Sequence, residues 1–184
     1  KEGYRFLAIA IVITFIALLM SQVLGFIFII ITVWVYYFFR DPDRISIQDD
    51  SYLVSPADGL ISNISEVSGP IELSLEDKKF TKVSIFMNVF NCHVNRTPTS
   101  AVVEEVFYKP GKFLNASLDK SSEENERNYY RLKTKNGDEI IIVQIAGLIA
   151  RRIVCEVEKN QSLKQGDRIG MIRFGSRVDM YFNN

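Results

Sequence analysis

A long uncharged segment near the start of the chain constrains the fold more than any other feature. From Phe6 to Phe39 no side chain is charged, and the run consists mainly of Ile, Val, Leu and Phe. As a single helix, its roughly 34 residues would be about 50 Å long, well beyond a hydrocarbon core of about 30 Å. Ser21, Gln22 and Gly25 lie near its middle, where a break is expected. The pattern therefore predicts two short apolar helices that form a hairpin.

The residues that flank this segment indicate a membrane anchor. Lys1 and Arg5 precede it and Arg40 and Arg44 follow it, so both ends are expected on the cytoplasmic side. Each half has about 16 residues, which leaves open whether the hairpin spans the bilayer or lies at its surface. A cleaved signal peptide fits less well, because the run is about twice the length of a signal core. An aromatic belt is predicted at Trp34, Tyr36 and Tyr37.

Residues 45–184 have the pattern of a mainly β domain, built from short strands and Gly/Asp turns and most like a barrel or sandwich. Asn136-Gly137 predicts the tight turn of a hairpin. The charged stretch from Asp119 to Asn128 is predicted to be an exposed loop or a short helix. The strongest strand candidates are Lys82–Phe90, Ala101–Tyr108, Tyr129–Thr134, Glu139–Ile145 and Ile153–Val157.

Composition limits the chemistry of this domain. Lys plus Arg and Asp plus Glu both number 22, so nothing argues for a nucleic-acid partner. The two cysteines, Cys92 and Cys155, are too few for a disulfide framework and suit a reducing compartment. His93 is the single histidine, which excludes a metal site built from several histidines; no metal is expected.

Three polar residues could carry chemistry, and each also has an ordinary structural interpretation. Asp58 lies in a turn and could bond its own backbone. His93 lies beside a strand and could be a buried structural residue. Ser176 follows Gly175 in an apolar stretch that could be a kinked strand. Cys92 next to His93 suggests a nucleophile pair, but neighbours in a strand face opposite sides, so Cys92 is expected in the core.

Seven motifs taken together resemble the phosphatidylserine decarboxylase proenzymes, specifically their shorter bacterial class. The resemblance covers essentially the whole chain, and seven motifs in order are far more specific than any one of them. In chain order they are Phe38-Phe39-Arg40-Asp41-Pro42-Asp43-Arg44, Ser55-Pro56-Ala57-Asp58-Gly59, Phe90-Asn91-Cys92-His93-Val94-Asn95-Arg96-Thr97-Pro98, Pro110-Gly111-Lys112-Phe113, Asn125-Glu126-Arg127, Gln144-Ile145-Ala146-Gly147 and Phe174-Gly175-Ser176-Arg177-Val178-Asp179.

The resemblance implies an enzyme that cleaves its own chain between Gly175 and Ser176 into a large and a small subunit. Ser176 would attack the preceding carbonyl and then become an N-terminal pyruvoyl group, with Asp58 and His93 completing the catalytic set. The pyruvoyl carbonyl would form a Schiff base with the amine of phosphatidylserine and promote loss of carbon dioxide, which yields phosphatidylethanolamine. His93 would assist proton transfer, and neither pyridoxal phosphate nor a metal is implied.

The resemblance also sets expectations for architecture and location. Leu163-Lys164-Gln165-Gly166-Asp167 and the strand around Ser176 look like half of a lipoyl-domain-like barrel, so a lipoyl-domain-like hybrid fold is expected. Residues 1–44 would anchor the enzyme in the bacterial inner membrane, with residues 45–184 facing the cytoplasm as the catalytic domain. A homo-oligomer is left open.

The chain departs from the family pattern in two respects. The longer members carry Leu-Gly-Ser-Thr at the cut and two histidines near the site, whereas this chain has Phe174-Gly175-Ser176-Arg177 and His93 alone. Only eight residues follow Ser176, so we expect the sequence to be a C-terminally truncated fragment of a longer proenzyme.

Three alternative functions stay open at this point. One is a decarboxylase of a related phosphoserine lipid, and another is a non-catalytic membrane-anchored β module of the same fold. The third is a hydrolase that uses Cys92 and His93.

Overall fold

The computed structural model describes residues 2–114, 124–147, 152–173 and 176–183, and the structural statements below refer to these ranges. The chain forms two compact units, one that ends at Pro42 and one that begins at Asp43. This division lies close to the boundary expected at residue 44.

The first unit is a helical hairpin. Helix α1 covers Glu2–Met20 and helix α2 covers Gln22–Phe38, so the predicted pair of helices is confirmed, with the break at Ser21. A hydrogen bond between two threonine hydroxyls joins the helices: the Oγ1 atoms of Thr14 in α1 and Thr32 in α2 lie 2.7 Å apart. By length and composition α1 could cross a bilayer, whereas α2, with 17 residues, is shorter.

The outward surface of this hairpin is strongly apolar. Leu19, Met20 and Val23 each expose more than two thirds of their side chains. Contiguous apolar surface of this kind marks a site that contacts lipid or another protein, because exposing it to water is unfavourable. The hairpin therefore has the surface expected of a membrane anchor.

The second unit consists of two antiparallel β-sheets. The larger sheet has seven strands in the order β1-β2-β10-β6-β5-β4-β8, and the smaller has three in the order β3-β9-β7. The predicted mainly β fold is confirmed. The strands are β1 Leu60–Ser68, β2 Lys79–Met87, β3 Val94–Arg96, β4 Ala101–Lys109, β5 Arg127–Thr134, β6 Glu139–Ala146, β7 Ile153–Cys155, β8 Ser162–Leu163, β9 Arg168–Ile172 and β10 Ser176–Phe182, and a single turn of 3-10 helix covers Ile71–Leu73.

Both faces of the larger sheet are buried near its centre. Alternate residues of β6 face opposite sides, so Ile142 contributes to the core between the sheets and Ile141 to a second core. The first core includes Ile169 from the smaller sheet, and the second is covered by the segment that carries Leu73 and Leu75. This double burial explains why β6 reads as a continuous apolar run.

The predicted hairpin between β5 and β6 is confirmed, but its turn differs from the predicted two-residue type. The Thr134 amide donates to the Asp138 carbonyl, and the Gly137 amide donates to the Thr134 carbonyl. Gly137 has a φ of 93°, whereas Asn136 does not have a positive φ. A two-residue type I′ turn needs positive φ at both central residues, so the structure uses a longer loop with glycine at the left-handed position.

The prediction of an exposed loop at residues 119–128 is wrong for its second half. Residues 119–123 lie outside the described ranges. Asn125, Glu126 and Asn128 are buried, and β5 already begins at Arg127. A polar composition suggested solvent exposure, but backbone groups bond two of these buried side chains: Asn125 Nδ2 donates to the Ala146 carbonyl, and the Ile153 amide donates to Glu126.

The apolar stretch around Ser176 is not one kinked strand. Strand β9 ends at Ile172 in the smaller sheet, and β10 begins at Ser176 in the larger one. The chain therefore passes from one sheet to the other immediately before Ser176. Residues 174 and 175, including one side of the predicted cleavage bond, lie outside the described ranges.

Candidate active site

Ser176 is the first residue of a central strand and points into the space between the sheets. It pairs with Met87 of β2 on one side and with Ala146 of β6 on the other. Directly paired residues of antiparallel strands share a face, and Met87 and Ala146 both belong to the core between the sheets. The side chain of Ser176 therefore faces the same interior, and its residue is fully buried.

Within the described residues, the hydroxyl of Ser176 lacks the hydrogen bond that a buried hydroxyl normally has. Its Oγ is inaccessible to solvent and has no hydrogen-bond partner within the part of the chain that the structure describes. Such a group costs about 1–3 kcal/mol of stability, and a catalytic role is one of the explanations for an unsatisfied buried group in a native protein. The position next to Gly175 in the sequence makes this hydroxyl the candidate nucleophile.

The strand that carries Ser176 is fixed from its opposite face by a buried ion pair. Arg177 Nε lies 2.6 Å from Asp179 Oδ1, and Arg177 Nη2 donates to Asp179 Oδ2 at 3.1 Å and to Ser84 Oγ at 2.8 Å. Both charged side chains are at most 4 % exposed. Because residues 177 and 179 alternate with 176 along β10, this pair holds the strand without contacting the face that Ser176 occupies.

His93 is fully buried and lies directly before β3, in the smaller sheet. Its main-chain carbonyl accepts a hydrogen bond from the Ile172 amide, which attaches it to β9. The imidazole Nδ1 lies 3.0 Å from the carbonyl oxygen of Asn91. A carbonyl can only accept, so Nδ1 carries a proton. When the ring is neutral, Nε2 therefore has the lone pair that a general base requires.

The turn that supplies this carbonyl is itself held by side-chain bonds. The Asn88 amide donates to Asn91 Oδ1 at 2.9 Å, and the Phe90 amide donates to Asn88 Oδ1 at 2.8 Å. This turn follows Met87, the β2 partner of Ser176. The sequence analysis did not identify Asn88 and Asn91 as the residues that hold this turn. Two asparagines three positions apart, just before the single histidine, could have indicated such a turn.

Cys92 is buried, as predicted, but the reason given from the sequence is wrong. The facing argument assumed that Cys92 and His93 are strand neighbours, whereas β3 begins only at Val94. Both residues are instead buried in the segment that leads into the strand. The other cysteine, Cys155, is exposed.

Asp58 lies at the edge of this region and is partly exposed. Its Oδ2 accepts a hydrogen bond from Arg44 Nη2 at 2.5 Å, and its side chain is 37 % exposed. The loop that carries it is tied to β3, because the Arg96 amide donates to the Pro56 carbonyl at 2.9 Å. A Cβ at Gly59 would lie 2.3 Å from the carbonyl oxygen of Phe86, so the loop approaches the end of β2 at a position that requires glycine.

The Asn125 motif frames the other side of Ser176. Asn125 Nδ2 donates to the carbonyl of Ala146 at 2.7 Å and to that of Leu114 at 2.8 Å, and Asn125 Oδ1 accepts from the Leu114 amide. The Ala146 amide donates to the Glu126 carbonyl. These bonds fix the end of β6 that pairs with Ser176, so a motif distant in sequence supports the same site.

The structure thus brings several of the sequence motifs to one end of the two sheets. Ser176 and His93 are both buried there, and Asp58 lies on a loop attached to the strand after His93. No group of three or more His, Cys, Asp or Glu side chains that could hold a metal occurs among the described residues. What the site offers is a buried hydroxyl on one sheet and an imidazole of fixed tautomer on the other.

Known proteins similar to this chain are decarboxylase proenzymes. The phosphatidylserine decarboxylase proenzyme of Pelagibacter ubique (strain HTCC1062) is 66% identical over 184 residues, which is 100% of this chain and 86% of that protein. The phosphatidylserine decarboxylase proenzyme of Cereibacter sphaeroides (strain ATCC 17025 / ATH 2.4.3) is 51% identical over 98% of this chain and 78% of its own length. That of Ruegeria pomeroyi is 50% identical over 98% of this chain and 82% of its own length.

These likenesses first define the class, which is that of decarboxylases made as proenzymes. A family model described as phosphatidylserine decarboxylase matches residues 31–184. The chain belongs to the phosphatidylserine decarboxylase family.

Proposed function

We propose that this chain is a proenzyme that cleaves itself between Gly175 and Ser176 and then decarboxylates phosphatidylserine to phosphatidylethanolamine. The observation that carries the proposal is the buried hydroxyl of Ser176, which has no hydrogen-bond partner in the described part of the chain and directly follows Gly175. A hydroxyl left without a partner is available to attack the neighbouring carbonyl. The family membership supports the same chemistry.

In the first step, Ser176 Oγ attacks the carbonyl carbon of Gly175. An ester bond forms, the amide bond between the two residues breaks, and the hydroxyl proton moves to the freed nitrogen. Loss of the Ser176 α proton and departure of the Gly175 carboxylate then cleave the chain. Water enters and ammonia leaves, so that a pyruvoyl group stands at the new terminus.

His93 is the proposed proton carrier for this step. The Asn91 carbonyl holds the proton of the neutral ring on Nδ1, so Nε2 can accept the hydroxyl proton and return it to the leaving nitrogen. Full burial favours this exchange, because water does not compete for the proton. After cleavage the same nitrogen could protonate the product carbon.

Asp58 is the proposed third member of the set. The attachment of its loop to β3 supports a role next to His93, since β3 follows His93 directly. One of its carboxylate oxygens, Oδ2, accepts a hydrogen bond from Arg44 Nη2. In this proposal Asp58 stabilises the imidazolium that forms during proton transfer.

The residues around Ser176 fit a pyruvoyl group. The unsatisfied Oγ is the atom that the conversion changes, and pairing with Met87 and Ala146 would keep the new terminus inside the sheet. The group would supply an electrophilic carbonyl that takes up the substrate amine and withdraws electrons as carbon dioxide leaves. His93 and the strand partners of Ser176 would orient the substrate and exclude water.

The apolar hairpin is proposed to attach the enzyme to the bacterial inner membrane, with the β unit in the cytoplasm. Helix α1 is long and apolar enough to cross a bilayer, and basic residues flank the hairpin on both sides. A lipid substrate has its head group at the bilayer surface, which is where an anchored enzyme would meet it.

Intact-mass measurement of the purified full chain, with a Ser176→Ala variant beside it, tests the proposal. The wild-type chain should split after Gly175, and its small fragment should carry a carbonyl that hydroxylamine or borohydride traps. It should release carbon dioxide from phosphatidylserine vesicles, whereas Ser176→Ala should stay whole and inactive. Activity of Ser176→Ala would rule the mechanism out.

The same preparation separates the alternative functions. Cleavage with activity only on another phosphoserine lipid would change the substrate and keep the mechanism. A folded wild-type chain that stays whole and contains no trappable carbonyl would favour a non-catalytic module. Loss of activity in Cys92→Ala would favour the hydrolase.

A further inference from the structure

A chain of buried hydrogen bonds links the two sheets close to Ser176. The Tyr130 hydroxyl donates to Gln144 Oε1 at 2.6 Å, and Gln144 Nε2 donates to Asn95 Oδ1 at 2.7 Å. Asn95 Nδ2 then contacts Met87 Sδ at 3.7 Å. All four residues are fully buried. We refer to Tyr130, Gln144 and Asn95 as the inter-sheet chain.

The inter-sheet chain joins the element that carries the serine to the element that carries the histidine. Gln144 belongs to β6 and lies two residues before Ala146, the direct partner of Ser176. Asn95 belongs to β3 and lies two residues after His93. Two strand residues span only about 7 Å, so the Gln144–Asn95 bond is made close to both reacting groups. The last contact reaches Met87, which is the other partner of Ser176.

The direction of the first bond is fixed by chemistry. Burial raises the pKa of Tyr130 well above its ordinary value of 10.0, so the phenol keeps its proton and acts as the donor. The Gln144 side-chain carbonyl oxygen accepts the hydrogen bond from this phenol, and the Gln144 amide nitrogen donates a hydrogen bond to Asn95. The two bonds that join Tyr130, Gln144 and Asn95 therefore each have a defined donor and acceptor, and a buried network of this kind favours one arrangement of its surroundings.

In the smaller sheet, Gly170 provides the space that the inter-sheet chain occupies. Gly170 pairs with Asn95 in the β3–β9 ladder. A Cβ at Gly170 would lie 2.9 Å from the Tyr130 hydroxyl oxygen and 3.3 Å from Gln144 Nε2. The local backbone is thus adapted to the close approach of the polar groups.

From this placement we propose that the inter-sheet chain positions Ser176 and His93 for self-cleavage, by fixing the separation and register of the two sheets at the site. These are positioning residues, because they act through Ala146, Met87 and β3. The inference rests on the proposed self-cleavage. A loose contact between the sheets would leave the fold in place but move the hydroxyl relative to the imidazole, and an error of about 1 Å can cost about 100-fold in rate.

The test compares Gln144→Met with Gln144→Glu in the full chain, purified as the uncleaved precursor, with the rate of cleavage followed by mass. Methionine fills the space but closes neither hydrogen bond, so cleavage should slow about 10- to 100-fold. Burial favours the protonated form of a carboxyl group at this position, which can accept from Tyr130 and donate its own hydroxyl to Asn95 Oδ1, so Gln144→Glu should restore most of the rate. If the inter-sheet chain only stabilised the fold, Gln144→Met and Gln144→Glu with equal melting temperatures would cleave at equal rates.

Two matched controls separate positioning from general stability. Gln165 is an equally buried glutamine whose amide bonds the carbonyls of Tyr52 and Pro98, so Gln165→Met should lower the melting temperature without slowing cleavage comparably. Tyr129 precedes Tyr130 in β5 and faces the other core, so Tyr129→Phe is the control for Tyr130→Phe. If Gln144→Met fails to fold, Tyr130→Phe, which removes one hydroxyl, provides the comparison.

The outcomes are distinct. A folded Gln144→Met chain that cleaves at the wild-type rate, or equal slowing in Gln165→Met, would overturn the positioning role while cleavage of the wild type upholds the proposed function. A wild-type chain that never cleaves would overturn both.

Discussion

The imidazole Nδ1 of His93 lies 3.0 Å from the main-chain carbonyl oxygen of Asn91, two residues earlier in the chain. The contact fixes which tautomer the neutral ring adopts, with the proton on Nδ1, because the carbonyl can only accept a hydrogen bond. A main-chain carbonyl thus orients the His93 ring, a contact that the sequence did not predict.

Replacing His93 by glutamine should slow self-cleavage by about 100- to 10,000-fold, the usual contribution of a general base. A glutamine amide can occupy the site and bond the Asn91 carbonyl, but it has no lone pair of suitable basicity. Time courses of intact mass check the rate, and circular dichroism checks the fold. Cleavage of a folded His93→Gln chain at the wild-type rate would remove His93 from the mechanism.

Replacing Asp58 by asparagine should slow cleavage by about tenfold or more, because the imidazolium that forms at His93 would lose its stabilising charge. Arg44→Gln is the matched control, since it breaks the same ion pair and keeps the carboxylate. If Asp58 acts on His93, Arg44→Gln should cleave at nearly the wild-type rate. Equal slowing in both variants would mean that the ion pair matters and that the carboxylate has no separate role.

Replacing Asp179 by asparagine should destabilise the β unit by about 3–5 kcal/mol, because Arg177 would lose its carboxylate partner in the interior. The double variant Arg177→Met with Asp179→Leu should recover much of this loss, since apolar side chains remove the buried charges altogether. Urea unfolding of the full chain in detergent micelles gives both values. A loss below about 1 kcal/mol in Asp179→Asn would contradict the burial of this pair.

The free energy of unfolding should fall as the pH drops below about 4.5, partly through Glu139. Burial raises the pKa of Glu139, but hydrogen bonds from Lys78 and Arg131 lower it by more, and the net pKa lies below its ordinary value of 4.5. A carboxyl group with a lowered pKa in the folded state binds fewer protons there than in the unfolded state. Its contribution is therefore present above pH 4.5 and is lost as the pH falls through the folded-state pKa.

Glu139→Gln should remove this part of the acid dependence, so that its urea midpoint changes less than that of the wild type between pH 6 and pH 3. Glu124→Gln is the control, because Glu124 forms an exposed pair with Lys112 and should leave the profile unchanged. Parallel profiles for the wild type and Glu139→Gln would show that Glu139 titrates alike in both states.

The sequence by itself determined the local features of this protein. The uncharged run from Phe6 to Phe39 required apolar helices, and Ser21 marked their break. Alternating and continuous apolar runs located β4, β5 and β6. The seven ordered motifs identified the family and placed Ser176, His93 and Asp58 together as candidates. These features follow from helix and strand periodicity and from turn residues, which act within a few positions of the chain.

Only the tertiary structure decided how the site is assembled. The sequence did not predict that β9 and β10 belong to different sheets, that Asn125 bonds the end of β6, or that Gln144 meets Asn95 across the interior. Each of these contacts joins residues far apart in the chain, and local periodicity does not specify which strands pair or which side chains meet across the interior. The burial of the Ser176 hydroxyl, which has no hydrogen-bond partner among the described residues, arises from that packing and could not be inferred from its neighbours in the sequence.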